Sequence, residues 1–131
     1  MPVDEAFLPA VAPGTIEHWL RSEYYPSAGA YSIEASNPCH QHEWRVWEDV
    51  KLPPGKILVP GVVGHYGDFI EHPELVAERL VTYARLVGRE NVVAGTDCGL
   101  GARDGHPSIT WAKFQAMAEG ARLATKQLWG S

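Results

Sequence analysis

Eight residues near the middle of the chain, Lys56-Ile-Leu-Val-Pro-Gly-Val-Val63, restrict the fold more than any other feature. A nearly unbroken apolar run, released by the turn Lys51-Leu-Pro-Pro-Gly55, suits a strand covered on both faces rather than one with a wet side. Beyond the loop at 64–72, Pro73 stands where proline is best tolerated, at a helix start. Leu75, Val76, Arg79, Leu80, Tyr83 and Val87 then recur at helical spacing until Gly88 offers a C-cap.

The same plan recurs on either side. Ala30-Tyr-Ser-Ile-Glu34 is a short β-rich run followed by the turn-rich Ser36-Asn37-Pro38, and Trp44, Trp47 and Val50 then fall at helical spacing. Asn91-Val-Val-Ala-Gly-Thr-Asp97 predicts a third strand, 98–107 a loop, and Ser108 the cap of a helix running to about Leu128. The order β-α, β-α, β-α makes the fold class α/β with parallel strands, because a parallel connection needs a crossover that a helix supplies. Three strands are too few to close an eight-stranded barrel. Their unpaired edges predict self-association, or an open sheet capped by the N-terminal segment. That segment, 1–27, contains Pro2, Pro9, Pro13 and Pro26 and reads as loop, apart from a short helix from Thr15 as cap through Ile16-Glu-His-Trp-Leu-Arg21.

Composition narrows the partners. The 131 residues are 45% hydrophobic and 21% charged, which suits one domain with a modest core. A net charge of -5 argues against nucleic acid or an anionic membrane surface, since both reward clustered Lys and Arg. No apolar run approaches a bilayer span and the start lacks a signal-peptide pattern, so a cytoplasmic address is expected. Cys39 and Cys98 have no CxxC or disulfide-framework spacing and read as free thiols or metal ligands.

In parallel α/β sheets the loops after the strands gather ligands, which directs attention to Glu34, His65 and Cys98. A carboxylate, an imidazole and a thiol from three neighbouring strand ends are zinc-ligand types. The bland alternatives are a solvated glutamate and a small buried cysteine. Cys39-His40-Gln41-His42 is ligand-rich but also reads as an exposed helix start. Asp97 either orients a ligand or takes backbone hydrogen bonds in its turn. Gly99-Leu-Gly101 lacks the third glycine and Lys-Ser/Thr of a phosphate loop, and reads better as backbone needing unusual dihedrals.

Tyr31-Ser-Ile-Glu-Ala-Ser36, Ile57-Leu-Val-Pro-Gly-Val-Val63 with His65, Glu71-His-Pro-Glu-Leu75 and Val92-Val-Ala-Gly-Thr-Asp-Cys-Gly-Leu-Gly101 together resemble the last strands of the cobalamin-independent methionine synthase family. They look closest to its shorter bacterial relatives and are similar also to the epoxyalkane:coenzyme M transferases. The resemblance implies a (β/α)8 TIM barrel, of which residues 30–131 would be the three C-terminal β-α units. It implies a Zn2+ that holds a thiol as thiolate, and a methyltransferase activity carrying a methyl group from a methyltetrahydrofolate to a thiol such as homocysteine. By motif match Glu34 and Cys98 correspond to metal ligands and His65 to a catalytic histidine acting in proton transfer.

The family's remaining two ligands come from a His-x-Cys motif, and no histidine here is followed two positions later by cysteine. Cys39, His40 or His42 are the possible substitutes. Residues 1–29 resemble a barrel segment that normally lies well upstream, so the chain reads as an internally shortened family member. The alternative is a non-catalytic truncated α/β remnant acting through self-association or subunit binding.

Overall fold

The computed structural model describes residues 7–9, 29–101 and 105–130. Its elements are β1 (Phe7–Pro9), β2 (Ala30–Ile33), a 3-10 turn (Glu43–Arg45) leading into α1 (Val46–Asp49), β3 (Ile57–Val63) and α2 (Pro73–Val87). A second 3-10 turn (Arg89–Asn91), β4 (Gly95–Thr96) and α3 (Pro107–Trp129) complete the order. The strands form one open sheet in the order β1-β2-β3-β4, every pair parallel. The three expected strands are thus neighbours. Phe7–Pro9, in a stretch read as loop, adds a fourth beside β2, with Phe7 opposite Ala30. The helix expected after Thr15 lies outside the described residues.

The third strand is shorter than its sequence suggests, and the cause sits on its partner. The Val93 amide donates to the Leu58 carbonyl, so Leu58 and the position two residues on direct their backbone groups toward β4, before the register shifts and the Val63 carbonyl accepts from the Asp97 amide. Pro60 shares that parity and has no N–H to give. Pairing therefore reduces to an isolated bridge between Leu58 and Val92, and resumes only at Gly61 with Gly95 and Val63 with Thr96, across a register irregularity. The segment carrying Trp44 and Trp47 likewise makes only the 3-10 turn and the single helical turn α1.

The helix layer follows the apolar periodicity. Val62 and Val63 of β3 pack with Val76, Ala77, Leu80 and Val81 of α2 and with Ala124 of α3. Each fully buried valine contributes about 1.5–3 kcal/mol relative to an exposed one. A second cluster joins Ile33, Ala35, Leu58 and Tyr83 under the half-buried Trp44 and Trp47. Gly120 lets α3 approach α2, since a Cβ there would stand 2.8 Å from the Pro73 carbonyl oxygen. Both long helices open with a His-Pro pair. His72 and His106 are the N-caps, accepting through Nδ1 from the Glu74 and Ser108 amides at 3.2 Å, with proline in the first turn. The cap of α3 is therefore His106 and not Ser108. Among the described residues no helix is long and apolar enough to cross a membrane.

Candidate metal centre

The C-terminal ends of β2, β3 and β4 lie side by side because the strands are parallel neighbours, and the residues just past each end converge. One donor atom each from Glu34, His65 and Cys98 lies within 4.8 Å of the other two. Cys98 Sγ donates to Glu34 Oε1 at 3.0 Å. Glu34 Oε2 accepts from Asn37 Nδ2 at 3.1 Å and has His40 Nε2 at 3.6 Å, while His40 Nδ1 reaches Glu43 Oε1 at 3.1 Å. The carboxylate is thereby held from several sides. Cys98 is exposed, Glu34 partly buried and His65 only 6% exposed.

Asp97 fastens the first strand's loop to the end of the third. Its Oδ1 accepts from the Ala35 and Ser36 amides at 2.7 and 2.9 Å, and its Oδ2 from the Asn37 amide and Nδ2 at 2.9 and 3.0 Å. Four donors on one buried carboxylate explain how a residue next to Cys98 also fixes the residues next to Glu34. The backbone bonds it takes are those of the loop that holds Glu34. Gly61 makes room for it, because a Cβ there would come within 2.7 Å of the Asp97 backbone nitrogen.

The loop carrying His65 is fixed by a pair that sequence reasoning passed over. The Gly64 amide donates to Glu71 Oε1 at 2.6 Å, and Lys113 Nζ donates to the Gly64 carbonyl at 3.1 Å. Lys113 Nζ lies 3.5 Å from Glu71 Oε2, with both side chains buried, and sits 4.7 Å from the centre of the Phe69 ring. Lys113 falls on the same stripe of α3 as the buried Ala116 and Gly120. A lysine on an apolar stripe was the available signal. Arg79, from α2, donates to the carbonyls of Val62 at 2.8 Å and Ser36 at 3.3 Å. Burial lowers its pKa, while the charges of Glu71 and Asp97 oppose that shift.

Of the remaining sequence candidates, His40 faces Glu34 without joining the three-donor group. Cys39 is exposed, its amide held by Asn37 Oδ1 at 3.0 Å, and neither it, His40 nor His42 is part of the three-donor group. Gly101 has a φ of 92°, the unusual dihedral read from its sequence, whereas Gly99 has none.

A carboxylate oxygen, an imidazole nitrogen and a sulfur suit zinc, and three protein donors with one open position are the pattern of catalytic rather than structural zinc. Donor atoms around a tetrahedral ion sit about 3.3–3.7 Å apart given bonds of 2.0–2.3 Å. The group therefore needs to close by roughly 1.5 Å at most to hold an ion. His65 Nδ1 is buried without a hydrogen-bond partner among the described residues, a state that costs about 1–3 kcal/mol unless something binds it. The donor set fits the group.

Fold and geometry define a class: a parallel α/β protein with an oxygen, nitrogen and sulfur donor group at its strand ends. No family model matches the chain, and no curated protein matches it. Among solved structures it is similar to a B12-independent methionine synthase from Shewanella sp. W3-18-1 in complex with selenomethionine, with a TM-score of 0.67 and 24% identity. The match covers 84% of this chain and 32% of that one, so the chain spans about a third of the synthase's length. At this identity the likeness concerns the fold, and an open parallel sheet is consistent with part of a barrel.

Proposed function

We propose that the chain binds a zinc-class divalent cation on Glu34 and Cys98, with His65 beside them, and serves methyl transfer from a methyltetrahydrofolate-type donor to a thiol such as homocysteine. The observation that carries this reading is the meeting of three donor types from three separate strand ends within 4.8 Å. The fold likeness to a methionine synthase supports it. When bound, the ion would stabilise the acceptor thiol as a thiolate near neutral pH. Glu34 and Cys98 would hold it, Asp97 and Asn37 would keep the Glu34 loop in place, and the Lys113–Glu71 pair would keep the His65 loop in place. On this reading residues 30–131 carry the site and residues 1–29 belong to an upstream part of a barrel.

The test is zinc binding by equilibrium dialysis against a competing chelator, run beside a homocysteine methylation assay. One equivalent of zinc, lost in Glu34→Ala and Cys98→Ala, together with methyl transfer, is the expected outcome. Absence of zinc from the intact protein contradicts the reading.

A second reading, a non-catalytic module that acts by self-association, is supported by different features. β4 has only two residues, Val93 beside it is 53% exposed, and Tyr66, Phe69 and Trp111 are 54%, 60% and 68% exposed. Zinc binding without methyl transfer, in a protein that sediments as an oligomer, favours this second reading. A zinc-binding monomer that transfers methyl groups removes it.

A further inference from the structure

We propose that His65 is itself a ligand of the ion, completing a centre of one carboxylate oxygen, one imidazole nitrogen and one sulfur in a chain without a His-x-Cys pair. The inference rests on the preceding reading that Glu34 and Cys98 hold a cation, and it changes the part assigned to the histidine. A ring nitrogen of His65 belongs to the convergent donor group, whereas His40 and His42, the other substitutes nearby in sequence, do not. His40 already faces two carboxylates, Glu34 and Glu43.

Burial separates a ligand from a proton carrier. A histidine that moves protons needs a relay to solvent or substrate through hydrogen bonds. His65 is 6% exposed, its Nδ1 has no such partner among the described residues, and its ring lies against Tyr66 at 4.1 Å between centroids. A buried imidazole in a convergent donor group, with one ring nitrogen unpartnered among the described residues, is suited to hold a cation. The backbone before the histidine is also fixed in the manner a ligand requires. Both polar groups of Gly64 are clasped, the amide by Glu71 and the carbonyl by Lys113, and the two clasping side chains face each other at 3.5 Å. Ligand-bearing loops are useful when their rotamers and backbone are locked before the ion arrives.

The experiment is titration of the full chain with Co2+, which reports coordination by its visible absorption, combined with NMR of protein labelled with 15N-histidine. The wild type should bind one Co2+ with a sulfur-to-cobalt charge-transfer band, and one imidazole of the six histidines should show a large paramagnetic shift. His65→Gln should weaken binding more than about 100-fold, since loss of an outer-shell partner alone costs 10–100-fold. It should also abolish the shifted imidazole. His65→Cys, which exchanges one donor for another, should restore binding and add a second sulfur band, a rescue that a merely structural histidine would not give. Binding of Co2+ by the wild type with no shifted imidazole, or by His65→Gln with unchanged affinity and spectrum, overturns the inference and leaves the Glu34–Cys98 reading standing. No Co2+ or Zn2+ binding by the wild type overturns both.

Discussion

The helix layer and the strand-end loops hold together by different means. Between α2, α3 and β3 the contacts are apolar and close: Val62, Val63, Val76, Leu80, Val81 and Ala124, with Gly120 allowing the helices to approach. At the strand ends the buried groups include Asp97, Glu71, Lys113 and His65, and the loops are tied by charge-assisted hydrogen bonds. The first region would tolerate many apolar sequences of equal volume. The second tolerates few, because removing one member leaves the others buried without partners. A chain that only needed to fold would gain little from the second arrangement. Its presence where three ligand-type side chains meet points to a site held in advance.

That contrast can be broken most forcefully at Asp97. Asp97→Ala leaves four donors unpaired and should cost roughly 5 kcal/mol in urea unfolding, enough to detach the Glu34 loop. A cost below that of Gly120→Ala would dissolve the distinction between the regions. Lys113→Met comes next, at about 3 kcal/mol, because Glu71 is left as an uncompensated buried charge. Adding Glu71→Gln to it should recover most of that loss, since a neutral pair replaces the broken ionic one. A double variant as unstable as the single one would show that the pair acts through shape alone. In the helix layer Gly120→Ala sets a clash with Val76 and the Pro73 carbonyl against better helix propensity, and should cost about 2 kcal/mol by thermal or denaturant unfolding.

The smallest effect lies where the regions touch. Tyr83 is buried with its hydroxyl unpartnered among the described residues, and burial, then the charges of Glu43 and Asp97, raise its pKa well above the ordinary 10.0. A raised folded-state value means the contribution is intact below pH 10 and is lost as the pH rises above it. Tyr83→Phe should change stability at pH 7 by less than about 1 kcal/mol and flatten the decline above pH 10. An unaltered alkaline profile would count against the burial of that hydroxyl.

The α2 helix was legible because Pro73, the apolar stripe and Gly88 agree, and the parallel order because strand and helix patterns alternate. The strand ends were legible for the same reason: once the order is known, Glu34, His65 and Cys98 fall at one level. What was hidden depends on partners distant in sequence. The shortness of β4 comes from a missing N–H on Pro60, in another strand. β1 spans three residues, too few to show a period. Nothing local marks His106 as a cap in preference to Ser108. The Lys113–Glu71 clasp on Gly64 joins residues up to 49 positions apart, and only the lysine's place on an apolar stripe hinted at it.

The most direct test of a shared ion is X-ray absorption at the zinc edge of the zinc-loaded protein. One sulfur at about 2.3 Å with nitrogen and oxygen neighbours at about 2.0–2.2 Å is the result expected from Glu34, His65 and Cys98. A first shell with no sulfur, or with two, contradicts it.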